Sequence, residues 1–140
     1  MKSLPTLIKL SKQRVDAQRL RLTKLFEEQD TLKSQVASME STLKHEATKA
    51  TEDPTMAMHY GRYAEEMEQR IKHTQSKIND LQLNIELNQD RLSTLFQDQK
   101  GLEIFKNQIQ QKDKALKEKK TQDYLDEITA QAHQRKKMSS

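Results

Sequence analysis

The chain has 140 residues and a formal net charge of +4, with two Gly, two Pro and no Cys. Charged residues make up 33% of it and aromatic residues 4%, so it is suited to long solvated helices and poorly supplied for a globular core. The missing cysteines exclude a disulfide framework and thiolate zinc sites, which fits a reducing compartment such as the cytoplasm.

The first element is a helix starting near Ser3 or Leu4, where Pro5 sits in the first turn and gives up no hydrogen bond. Leu4 to Leu10 contains Pro5, Thr6 and Lys9, so it is neither a membrane span, which needs ~18 to 20 apolar residues, nor a cleaved signal peptide. The helix runs over about 4–48, roughly 70 Å at the α-helical rise. Its positions spaced alternately three and four apart are Leu4, Ile8, Ser11, Val15, Gln18, Leu22, Leu25, Gln29, Leu32, Val36, Met39, Leu43, Glu46 and Ala50. Most are apolar, which is the 3.5-residue repeat of a coiled-coil seam.

A turn follows at about 49–55. Pro54 pushes Asp53 out of the helical region, and Asp53 can cap a new helix whose first position is Pro54. Gly61 weakens the restart, so helix 2 is placed at about 56–120. Gly101 is tolerated inside it at a cost of ~1 kcal/mol. Its seam reads Tyr60, Ala64, Met67, Ile71, Thr74, Ile78, Leu81, Ile85, Asn88, Leu92, Leu95, Gln99, Leu102, Lys106 and Ile109. Beyond about 107 no first helix is left to cover it, and the basic tail over about 121–140 is expected to fray.

The two seams fit face to face throughout when paired residue numbers share a constant sum of 110, which sets Leu25 against Ile85, Met39 against Ile71 and Leu43 against Met67. The sums 103 and 117 also keep the heptads but need a longer loop. The expected fold is therefore all-α: one long antiparallel two-helix coiled-coil hairpin with a C-terminal helical overhang, a single domain over 1–140. Gln18, Gln29, Asn88 and Gln99 lie on the seams, where they cost stability and can fix register.

Charge separates along the sequence. Residues 1–24 carry seven Lys/Arg and one acid, and residues 100–140 carry ten and six, whereas 25–58 and 59–99 are each net acidic. Folding back would gather the basic segments at the terminal end and the acidic ones near the turn. Lys9, Lys12, Arg14, Arg19, Arg21, Lys112 and Lys114, with Lys117, Lys119 and Lys120, could meet phosphates or an acidic protein surface; a solvated face that keeps the chain soluble is the plainer reading. No aromatic platform or recognition motif accompanies these charges, so nucleic acid is not an expected partner. Tyr60, Tyr63 and Met67 lie beside the turn. Tyr60 and Met67 are seam positions and read first as core, leaving Tyr63 as the better surface contact.

His45, His59, His73 and His133 are scattered, without a second ligand at helical spacing, so no metal and no cofactor is expected. There is no glycine loop, nucleophile elbow or paired carboxylate set, and two helices offer no concavity to dehydrate a substrate. The chain reads as a non-enzyme.

Leu7, Ile8, Lys9 and Leu10 with Val15, Asp16 and Leu20 to Leu22, the Asp53, Pro54 turn followed by Tyr60, Gly61, Arg62 and Tyr63, and Leu125, Asp126, Glu127 and Ile128 before a basic tail together resemble the flagellar export FliJ family, relatives of the YscO stalk proteins of type III secretion. The resemblance spans nearly the whole chain. It implies an antiparallel coiled coil like the stalk of rotary ATPases, whose terminal end enters the hexameric export ATPase and promotes its activity. It also implies a link to the cytoplasmic domain of the export gate membrane protein, with export chaperones as a further candidate partner. Location would be cytoplasmic, peripheral at the inner face of the cell membrane through these partners. The family's gate contact just after the turn maps onto Tyr63 and Met67, and the basic pole of Lys9, Lys12, Arg14, Arg19, Arg21, Lys112 and Lys114 is the matching ATPase contact. Competing expectations are a generic scaffold dimerising in parallel through the same heptads, an injectisome stalk, and a basic nucleic-acid or anionic-membrane binder.

Overall fold

The structure is a computed structural model and describes residues 3–138. It consists of two α-helices, α1 Leu4–Glu52 and α2 Pro54–Met138, separated by Asp53 alone. The chain divides into two units: a hairpin unit from Lys12 to Phe96, and a terminal unit made of the residues up to Ser11 together with those from Gln97 onward.

In the hairpin unit α1 and α2 run antiparallel. Gln18 on α1 reaches Asn88 on α2, Gln29 reaches Gln82, and nearer the turn Val36 clusters with Met67 and Ile71. As numbers rise on one helix they fall on the other. Met39, Leu43, Tyr63 and Ile78 pack against the Val36 cluster. Ile85 is completely buried and Val15 nearly so. Burial follows the seams: every seam position from Val15 to Ala50 and from Tyr60 to Leu95 is buried or half-buried, while only Ala47 and Tyr63 join them from outside. An apolar repeat of 3.5 residues keeps one narrow stripe facing its partner over many turns, and everything else meets water.

The polar seam positions are satisfied by side-chain pairing across or along the helices. Gln18 Nε2 donates to Asn88 Oδ1 at 2.8 Å and to the Asn88 carbonyl at 3.2 Å. The Asn88 amide in turn donates to the carbonyl and Oδ1 of Asn84 at 2.7 and 2.9 Å. Gln29 Nε2 donates to Gln82 Oε1 at 2.9 Å. No buried side-chain nitrogen or oxygen among the described residues is left without a partner. A strict sum of 110 would have set Gln18 against Leu92. The structure instead joins the two amides, because pairing them stabilises both whereas either one alone against leucine would strand a buried polar group.

The connection is tighter than the seven residues expected. Asp53 N still donates to the Lys49 carbonyl at 3.2 Å, and the Asp53 carbonyl accepts from Ala57 N at 3.1 Å, so one residue closes α1 and opens α2. Its carboxylate caps α2, accepting from Thr55 N at 2.9 Å. Helix 2 thus starts at Pro54 rather than near 56, with proline at the position where its missing N–H costs nothing.

In the terminal unit Ile8 and Ser11 are buried and Leu4, Leu10, Gln99 and Leu102 half-buried. Ser11 Oγ donates to the Ile8 carbonyl at 2.7 Å, so its hydroxyl is satisfied within its own helix. From Glu103 to Met138 every residue is exposed while the helix continues: this is the overhang. The residues from 121 to 138, expected to fray, are helical. Helix formers such as Leu125, Glu127, Ala130 and Ala132 are frequent in that stretch, Gln122 Nε2 donates to Asp126 Oδ1 at 3.0 Å four residues on, and Arg135, Lys136 and Lys137 stand in the last turn, where cations favour the helix terminus.

Candidate functional site

All seven basic residues expected to contact a partner are exposed. Lys12, Arg14, Arg19 and Arg21 belong to the hairpin unit, and Lys9, Lys112 and Lys114 to the terminal unit. Within the hairpin, Lys12 and Arg19 are two helical turns apart and so share one flank of α1, while Arg14 and Arg21 share the other. Cations therefore line both sides of the Val15, Gln18, Leu22 seam.

Arg19 differs from its neighbours. Its guanidinium lies 4.8 Å from the centre of the Phe96 ring on α2, and Nη1 is 4.0 Å from Asp16 Oδ1. Phe96 is one residue past seam position Leu95, and its ring is left 38% exposed. The cation–π contact explains why an aromatic is tolerated there, and it makes Arg19 a clamp between the helices as well as a surface charge. Sequence reading missed this pair, because nothing in spacing links a residue on the flank of one helix to an aromatic 77 positions away.

At the other end of the hairpin the expected gate-contacting pair separates. Met67 is a member of the buried cluster with Val36 and Ile71, the core place read for it from the seam. The reason is its seam position: Met67 faces α1 while that helix still has more than a turn to run. Tyr63 is half-buried at the edge of the same cluster and borders a shallow groove together with Glu46, Met56, His59 and Tyr60. The apolar surface that does stand out here is Met56 and Met58, 48% and 84% exposed. Both fall at the start of the second helix as read from the sequence, ahead of its first seam position Tyr60.

Elsewhere the four histidines are exposed, and among the described residues no three His, Asp or Glu side chains gather as a metal site would need. No helix among the described residues is long and apolar enough to cross a membrane. The overhang carries Phe105, Ile109, Leu116, Tyr124, Leu125 and Ile128 exposed among lysines.

No curated protein and no solved structure matches the chain significantly. A family model described as flagellar FliJ protein does match, over residues 1–138, nearly the whole of the chain. A match of that extent, on a chain whose hairpin unit pairs two antiparallel helices across an Asp53-capped turn, places this chain in the flagellar FliJ protein family.

Proposed function

We propose that the chain is a non-enzymatic stalk and adaptor of the flagellar protein export apparatus, which inserts into the export ATPase hexamer and links it to the export gate. Family membership ties it to flagellar export; the ATPase and gate contacts are the finer reading. The observation that carries it is the double row of exposed cations on the first third of α1, Lys12 and Arg19 on one flank and Arg14 and Arg21 on the other. A shaft entering a ring meets the lumen on every side, and charges on both flanks suit that geometry better than a single docking face would. Lys9, Lys112 and Lys114 contribute the same charge from the terminal unit. On this reading the protein works in the cytoplasm, held at the membrane through its partners, with export chaperones among those it can receive.

For the gate, Tyr63 supplies a half-buried aromatic edge beside exposed Met56 and Met58, and Met67 supports Tyr63 from within the core. An adaptable methionine and aromatic surface suits a contact made and broken during export.

The test is stimulation of the purified export ATPase by the wild-type chain and by Arg14→Glu/Arg21→Glu. Arg19 is left in place because its reversal would also remove the Phe96 contact. Stimulation should fall severalfold and become steeply salt-dependent in the variant, with helicity unchanged by circular dichroism. Equal stimulation by both proteins removes this cation row from the mechanism.

A further inference from the structure

The hairpin turn consists of one backbone residue. Helical hydrogen bonds run up to Asp53 from Lys49 and resume from Asp53 to Ala57, and no described residue, glycine included, has a positive φ. Closed hairpin and uninterrupted helix therefore differ by little more than the torsions around Asp53. Nothing packs on the turn, since residues 51–59 are all exposed. The buried cluster nearest to it is that of Val36, Met67 and Ile71, with only half-buried and exposed residues between that cluster and the turn.

From this we infer that each seam of the hairpin unit is an interaction surface for a second copy of the same chain, and that Pro54 is the residue that keeps the pairing within one molecule. The pairs Gln18 with Asn88 and Gln29 with Gln82, and the Val36, Met67, Ile71 cluster, each join one residue set on α1 to one on α2. All of them re-form unchanged when α1 of one copy lies antiparallel on α2 of another. The exchanged dimer thus has the same buried layers as the monomer and the same satisfied amides. What separates the two states is the backbone at residue 54. In an uninterrupted helix Pro54 would offer no N–H to the Ala50 carbonyl and its ring would press on that carbonyl, while Asp53 would be forced into the region its proline neighbour disfavours. In the hairpin the same proline opens α2 at no loss. Two such penalties fall on every exchanged dimer. The hairpin is further favoured by the high effective concentration of two helices joined by a single residue. This is a device against partner exchange, of value to a chain that must act singly, and it does not depend on the function proposed above.

The experiment compares the full-length wild-type chain with Pro54→Ala by sedimentation equilibrium from micromolar to millimolar concentration. Wild type should stay monomeric through the micromolar range, and Pro54→Ala should dimerise at a concentration at least a hundredfold lower than wild type does. Because the chain has no cysteine, Gln18→Cys and Asn88→Cys can be placed on separate chains and mixed. In the Pro54→Ala background they should form an inter-chain disulfide under mild oxidation, and in the wild-type background they should not. Asp53→Ala, which removes the cap on α2 and leaves Pro54, should shift the equilibrium less; it gives a second reading should Pro54→Ala fold poorly. A Pro54→Ala chain that stays monomeric at millimolar concentration, or a dimer that gives no Gln18→Cys to Asn88→Cys crosslink, overturns the inference.

Discussion

Replacing Gln18 by leucine, alone and together with Asn88, should give stability changes of opposite sign. Both residues are buried, at 6% and 3% exposure, on seam positions whose neighbours are apolar. In Gln18→Leu the Asn88 Oδ1, which accepts from Gln18 at 2.8 Å, is left buried without a donor, at a cost of about 1–3 kcal/mol that the added apolar contact only partly offsets. Asn88→Leu is milder. Gln18 Nε2 keeps the carbonyl of residue 88 as an acceptor at 3.2 Å, and Asn84, which loses its partner, is exposed and can turn to water, so the hydrogen bonds lost, about 1 kcal/mol, are offset by the added apolar contact and stability should stay within about 1 kcal/mol of wild type. The double variant strands nothing and adds two apolar side chains to the seam. Each is worth about 1.5–3 kcal/mol when buried against about 1 kcal/mol for the hydrogen bonds removed, so the pair should end more stable than wild type. Urea unfolding of all four proteins, followed by circular dichroism at 222 nm, gives the coupling, expected at about 2 kcal/mol or more. Two single changes that add to the double within about 0.5 kcal/mol would show that the amides act independently and that the layer has no joint role.

Glycine to alanine at Gly61 and at Gly101 should each raise stability by about 0.5–1 kcal/mol, because both lie inside α2 and a Cβ built on either meets nothing within 4 Å; an unchanged or lower melting temperature contradicts this. Ile85→Ala should cost about 2–5 kcal/mol, since Ile85 is fully buried. The half-buried Leu81→Ala, one seam step away, should cost markedly less in the same unfolding assay, and equal losses would mean the seam is not packed as described.

Much of this was legible because a coiled coil is the architecture in which tertiary contact is most nearly a function of local spacing. The alternation of three and four that runs through Val15, Leu22, Val36 and Ile85 picks out the residues that the structure buries, and it stops being obeyed at Lys106 and Ile109, where cover by α1 has run out. The candidate site was legible to a lesser degree. The cations of α1 read as exposed because they lie off the seam, and Met67 reads as core because it lies on it; its contact role comes only from the family resemblance. Met56 and Met58 were missed, since they lie ahead of Tyr60, where the seam of the second helix was taken to begin. The Arg19 and Phe96 contact was missed because it joins flanks of different helices.

Composition and heptad spacing by themselves determined that this chain forms two long helices with one apolar stripe each, that Asp53 and Pro54 separate them, and that they lie antiparallel; these follow from backbone preferences and from the 3.5-residue repeat, both of which are local. Only the tertiary structure decided which layers meet across the seam. Heptads repeat, so neighbouring registers bury nearly the same apolar surface, and the choice among them falls to the few places where a wrong neighbour would be costly. Here those are the amide pairs, Gln18 with Asn88 and Gln29 with Gln82, and a turn short enough to leave no slack.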